Sequence, residues 1–147
     1  MAKKNRATRE KLLATETGTI HRTGRGGTSV VLVYPNRYHV GMSNLGFQTV
    51  YEQVNRLDSA FCERAFLPEP NGTDGAAIAS VETGTPLAGF DIIAFSISYE
   101  NDYPNVLTIL EQAGLPLQSS RRLDKHPLVI AGGVACLLNP EALSAFI

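Results

Sequence analysis

Several features that would fix a function are missing. Two cysteines occur in the 147 residues, Cys62 and Cys136. They have neither the spacing of a metal site nor the makings of a disulfide framework. No apolar run approaches the roughly 18–20 residues needed to span a bilayer. The N-terminus, MAKKNRATREKLL, lacks the apolar core of a secretory signal. A reducing cytoplasm is therefore the expected setting. Net charge is also nearly absent, at −1. It is unevenly spread, however: residues 1–28 carry seven Lys/Arg against two Glu, and residues 29–147 carry six against twelve acids. A solvated basic tail before an acidic body is the plain reading. A nucleic-acid partner is not expected.

The chain is long enough for one domain with a core. Residues 1–28 contain a short helical pattern, Arg6–Ala14, and then Gly24-Arg25-Gly26-Gly27. The glycines precede a strand, so they read as a flexible approach and not as a phosphate cradle, which joins strand to helix. Ser29–Tyr34 is β-branched and continuous, and Pro35 stops it. The loop Asn36–Met42 follows. Ser43 or Asn44 caps a helix running to about Leu57, with Phe47, Val50, Tyr51 and Val54 at helical spacing. Gly46 is expected to pack closely against the sheet.

Phe61–Leu67 is a second strand, placed near the sheet edge because Glu63 and Arg64 suggest incomplete burial. Pro70–Gly75 is loop chemistry, Ile78–Glu82 a short extended piece, and Thr85-Pro86-Leu87 the start of a very short helix. The stretch Asp91–Pro104 carries the third strand. Its apolar run Ile92–Phe95 suits a strand buried on both faces. Asp102 is expected to cap the helix Asn105–Ala113, which Gly114 and Pro116 close. Arg121-Arg122 reads as a surface pair, and His21 and His126 as solvated. Pro127–Ala131 is the fourth strand, leading into Gly132-Gly133. Asn139-Pro140-Glu141 has the chemistry of a helix start.

Strands alternating with helices predict an α/β fold, flavodoxin-like (Rossmann-like), with a three-layer parallel sheet in the order 2-1-3-4. A fifth strand is expected to lie outside this chain, which then reads as a fragment: a tail, 1–28, and a truncated domain, 29–147. In open α/β sheets ligands bind beyond the carboxyl ends of the strands at the switch in strand order. Three loops meet there. They carry Tyr38 and His39, then Tyr99, Glu100 and Asn101, then the glycine pair. No nucleophile is paired with an oriented base, so no catalytic residue is assigned to this chain alone.

The phrases VLVYPNRYHVGMSNLGFQTVYEQVN, FCERAFLP, FDIIAFSISYENDYPNVLTILEQAGLPL and PLVIAGGVACLLNPEALSAFI resemble the N-terminal region of B12-binding radical SAM proteins. The resemblance covers residues 29–147. It implies a cobalamin-binding fold ahead of a radical SAM barrel in the same polypeptide. There a CxxxCxxC motif, missing here, would hold a [4Fe–4S] cluster and S-adenosylmethionine. The residues it marks for a cofactor are Tyr38, His39, Val40, Gly41, Ser43, Ser96, Ser98, Tyr99, Glu100, Asn101, Gly132 and Gly133. The general B12 fold has Asp-x-His-x-x-Gly after its first strand. Here Arg37 stands at the Asp and Met42 at the Gly, so His39 is not expected to ligate cobalt and no metal ligand is assigned. Two other functions compete: a degenerate B12 fold that binds substrate or packs against the barrel, and a free-standing binder of FMN or a nucleotide. The last lacks the Ser/Thr/Gly-rich phosphate loop after its first strand.

Overall fold

A computed structural model describes residues 2–18, 20, 27–68 and 78–147. The helix α1 spans Ala2–Ala14, longer than the Arg6–Ala14 pattern. The strand β1 spans Thr28–Tyr34, and helices α2 (Tyr38–Met42) and α3 (Leu45–Asn55) follow it. β2 spans Ala60–Phe66, β3 Ile92–Ser96 and β4 Leu128–Gly132. Helix α4, Tyr103–Gln112, joins β3 to β4, and α5, Val134–Leu138, follows β4. All four strands are parallel, in the order β2-β1-β3-β4. The flavodoxin-like α/β expectation holds.

Side chains alternate across this sheet, so β1, β2 and β3 each serve two cores. Val31 and Val33 of β1, Ala65 of β2, Ile93 and Phe95 of β3 and Val129 of β4 face α4. That helix answers with Val106, Ile109 and Leu110, all fully buried. Each such side chain contributes about 1.5–3 kcal/mol of apolar transfer. On the opposite face, Val30, Leu32, Tyr34, Cys62 and Phe66 meet Phe47 and Tyr51 of α3. The cover stops there. Farther along the same face Leu128 and Ile130 of β4 remain exposed.

Several local expectations need correction. The segment after β1 is not all loop, because α2 forms in it. Gly46 is exposed, and a Cβ there would meet only the Asn44 side chain, so close packing does not explain it. Glu63 and Arg64 are buried, although β2 is an edge strand. Arg64 Nη2 reaches Glu16 Oε2 at 2.8 Å and its Nε reaches Glu82 Oε1 at 2.7 Å. Its guanidinium also lies over the Tyr51 ring, 4.7 Å from the centroid. Glu63 accepts from the Thr83 hydroxyl at 2.7 Å. A charged side chain can be buried when its charge and hydrogen-bonding capacity are met in this way.

Part of the N-terminal segment is not solvated: Glu16 is the ion partner just named, and Leu13 and Ile20 pack against the α3-side core. His21 and Gly24–Gly26 lie outside the described residues. Asp102 stands at the N-cap of α4, but its side chain caps no backbone amide of that helix. Arg122 is half-buried and not simply a surface residue. It donates to the carbonyls of Pro116, Leu117 and Phe146, and so pins the connector to the C-terminal residues. His126 is half-buried, and its Nδ1 accepts from the Leu123 amide at 3.0 Å. After Asn139-Pro140-Glu141 the chain makes only a single 3-10 turn, Glu141–Leu143, while the helix α5 forms just before it. Leu87–Gly89 is likewise one 3-10 turn, and Ala79 pairs with Pro86 in an isolated bridge.

Candidate functional site

The site lies at the carboxyl ends of β1, β3 and β4, where β1 has its neighbours on both sides and the connections part. Pro35 ends β1, and Asn36 turns the chain. The Asn36 side chain accepts from the Arg37 amide at 2.8 Å and donates to Asp102 Oδ1 at 2.7 Å. Asn105, in the first turn of α4, donates to the Pro35 carbonyl at 2.9 Å. Asn44 works the same way one helix later. Its Oδ1 caps Phe47 N at 2.9 Å, and its Nδ2 donates to Ser98 Oγ at 2.9 Å. Three asparagines thus tie the loop after β1 to the loop after β3.

Asp102 is only 4% exposed. Burial pushes its carboxyl above the usual carboxylate range, and the hydrogen bonds from Asn36 and Asn105 oppose that rise. Its Oδ2, like Arg37 Nη1, is buried and has no hydrogen-bond partner among the described residues. Groups of this kind normally carry an ordered water or meet a ligand.

The residues marked from the sequence fall into three groups. The first sits on α2. The Tyr38 ring stands edge-on to Phe66, with centroids 5.1 Å apart, and its hydroxyl donates to Glu16 Oε1 at 2.5 Å. Burial first, then that carboxylate, raise the phenol to about 12. Val40 packs into the α3-side core. Gly41 is buried, and a Cβ there would stand 2.5 Å from the Phe66 ring, which leaves room only for glycine. His39 is exposed and makes no hydrogen bond among the described residues. Ser43 is exposed and donates to the Val40 carbonyl at 2.7 Å.

The second group surrounds the exit of β3. Ser96 is half-buried and in register with Gly132. Ser98 is taken by Asn44. Tyr99, Glu100 and Asn101 are exposed, the last two in a 3-10 turn, Glu100–Asp102. The third group is the glycine pair, whose members differ. Gly133 has φ +105°, and a Cβ there would run into the Ile97 backbone. It is glycine because the exits of β3 and β4 touch: Ile97 N donates to Gly132 O at 2.8 Å, and Ala135 N to Ile97 O at 3.3 Å. Gly132 faces open space.

The fold therefore brings the second and third groups together and ties Ser98 to Asn44. Tyr38 makes its contacts toward β2. Among the described residues no group of three His, Cys, Asp or Glu side chains stands close enough to hold a metal ion. Sequence reasoning passed over Asn36, Asn44, Asn105 and Glu16 as site builders. The available signal was asparagine recurring at strand exits and in first helical turns.

Fold and site together define a parallel, flavodoxin-like α/β domain whose loops after β1 and β3 are tied to each other by hydrogen bonds. The sequence model of a family described as "Radical SAM proteins, N-terminal" matches residues 46–147, and the chain belongs to that family. No curated protein and no solved structure matches it. No helix among the described residues is long and apolar enough to cross a membrane. Cys62 is buried, with its thiol raised to about 12 by burial, and Cys136 is half-buried and also raised. A [4Fe–4S] cluster takes more thiolates than two cysteines supply, so this chain does not fit the cluster on its own.

Proposed function

We propose that this chain is the presenting domain of a radical SAM protein. It would hold cobalamin at the ends of β3 and β4, facing a radical SAM domain of the same polypeptide that carries the [4Fe–4S] cluster and S-adenosylmethionine. The carrying observation is the open space over Gly132, which bonds to Ile97 at the exit of β3, together with the exposure of Tyr99, Glu100 and Asn101 just after that exit. A broad flat ring needs backbone it can approach without a Cβ in the way. Its amide-bearing rim needs both donors and acceptors, which Asn101 and Glu100 supply. The Tyr99 ring offers a face for packing. Among the described residues no carboxylate or carbonyl orients the His39 side chain, so nitrogen ligation from His39 is not part of this reading. Cobalamin, when bound, supplies a cobalt centre able to accept and pass on a methyl group. The roles of this chain are to seat the ring and keep its exposed side toward the partner domain.

The test is a cobalamin titration of the purified chain, followed by absorption and calorimetry. Saturable binding with a base-off spectrum, lost in Gly132→Phe, supports the reading. Binding that survives Gly132→Phe moves the site elsewhere. A nitrogen-ligated spectrum abolished by His39→Ala overturns the role given to His39.

A second reading, a packing module without cobalamin, draws on a specific observation. The bonds Asn36–Asp102, Asn44–Ser98 and Asn105–Pro35 already use much of the polar capacity of the loops after β1 and β3. Absence of binding, both in this chain and in a chain extended through the radical SAM domain, would leave this reading in possession.

A further inference from the structure

We propose that Glu16 is a latch: it fastens the N-terminal segment across β2 and, with the same carboxylate, holds Tyr38 of α2 toward the β2 side of the strand ends. The two oxygens are divided between two tasks. Oε2 accepts from Arg64 Nη2 at 2.8 Å, and Oε1 accepts from the Tyr38 hydroxyl at 2.5 Å. The rest of the strap is anchored independently. Arg9 Nε donates to Val81 O at 3.1 Å, and its guanidinium fills the space that a side chain at Gly84 would need. The Tyr51 hydroxyl donates to the Ile20 carbonyl at 3.0 Å. Glu16 and Tyr38 both precede residue 46, where the family match begins, whereas Arg64 and Tyr51 lie within it.

Two consequences follow from this division. A ligand that engages the Tyr38 hydroxyl must displace Glu16. Conversely, whatever lifts the strap leaves Tyr38 free and Arg64 with Glu82 as its remaining ion partner. Coupling of this kind is reciprocal: loosening either end loosens the other. Only the ligand consequence rests on the function proposed above. The coupling itself can be read without any ligand.

The experiment is amide hydrogen exchange on the whole 147-residue chain and three variants. Tyr38→Phe removes one hydroxyl. It should speed exchange at Thr15 and Glu16, whose amides bond to Leu12 and Leu13, on the order of tenfold, the loss expected for a hydrogen bond to a charged acceptor. Glu16→Ala should speed exchange by a similar factor at Val40 and Gly41, whose amides bond to Arg37. Glu16→Gln keeps an acceptor for Tyr38 but not the charge for Arg64. It should restore protection in α2 and leave residues 60–66 loosened. A local counter-ion role for Glu16 would loosen 60–66 in Glu16→Ala and leave α2 untouched, which overturns the latch. If Glu16→Ala does not fold, the Tyr38→Phe arm decides, and unchanged exchange at Thr15 and Glu16 refutes the proposal. Failure of wild-type chain to bind cobalamin would count against the cofactor reading and leave the exchange result standing.

Discussion

The two edges of the sheet are finished in opposite ways. At β2 the outward backbone is in use: Arg64 O accepts from Val81 N, and Arg64 N donates to Glu82 Oε2, each at 2.7 Å. The Arg64 side chain, 4% exposed, is held between Glu16 and Glu82. At β4, Leu128 N and Gly132 O bond toward β3, which turns the backbone of Val129 and Ala131 outward. No bond among the described residues reaches those groups. Leu128 is 60% exposed and Ile130 44%, while Leu137 and Leu138 of α5 are 83% and 75% exposed. Edge strands are usually blunted by charge, a bulge or a cover. Here the charged edge is the covered one and the apolar edge is open. A charge on an edge strand therefore does not report solvent, and its absence does not report burial.

The largest break in this comparison should come from Arg64→Ala. It leaves Glu16 and Glu82 facing each other without their cation in a dry site, at a cost of about 3–5 kcal/mol, measured as a lower urea midpoint. Burial alone would pull Arg64 down, yet the hydrogen bond to Glu16 and the charge and hydrogen bond of Glu82 leave its pKa raised. A small change in midpoint would mean that water screens the cluster and the β2 edge is not sealed. Gly133→Ala, on the open side, should cost about 1–3 kcal/mol from its φ of +105°, and more if the contact with Ile97 cannot relax. Thermal unfolding reads it, and an unchanged midpoint would show that the exits of β3 and β4 do not touch. Ile130→Lys should alter stability by no more than about 0.5 kcal/mol. It should, however, abolish any concentration-dependent association of the chain in sedimentation velocity. A wild-type chain that is monomeric at high concentration would remove edge pairing from the account. The mildest test changes no residue. Alkylation of the native chain should modify Cys136, on the open side, well before Cys62, which lies under α3 with its thiol raised to about 12. Equal rates would contradict the difference between the two sides.

Much of the architecture was legible in the chain. The β-branched runs at Val30–Val33 and Ile92–Phe95, Pro35 as a stop, Asn44 as a cap and Gly114 at a helix end all act locally, within a few residues. Strand–helix alternation then limits the sheet to few orders. The site was less legible. Gly132 and Gly133 looked alike, yet one faces open space and the other backs onto Ile97, and only the β3–β4 register separates them. Asp102 looked like a cap because its position is right, but its oxygen is claimed by Asn36, 66 positions away. The basic N-terminus looked solvated because its composition gives no sign that Glu16 meets Arg64, 48 positions on.

The sequence by itself determined the class of fold, the parallel order and the loops that carry the candidate ligand end, since these follow from periodicity, turn chemistry and caps. Tertiary structure alone decided which charges are buried, which glycine is constrained and which edge is closed. Those outcomes depend on pairings between residues far apart in the chain. A carboxylate or a guanidinium is compatible with water or with the interior until its partner is in place.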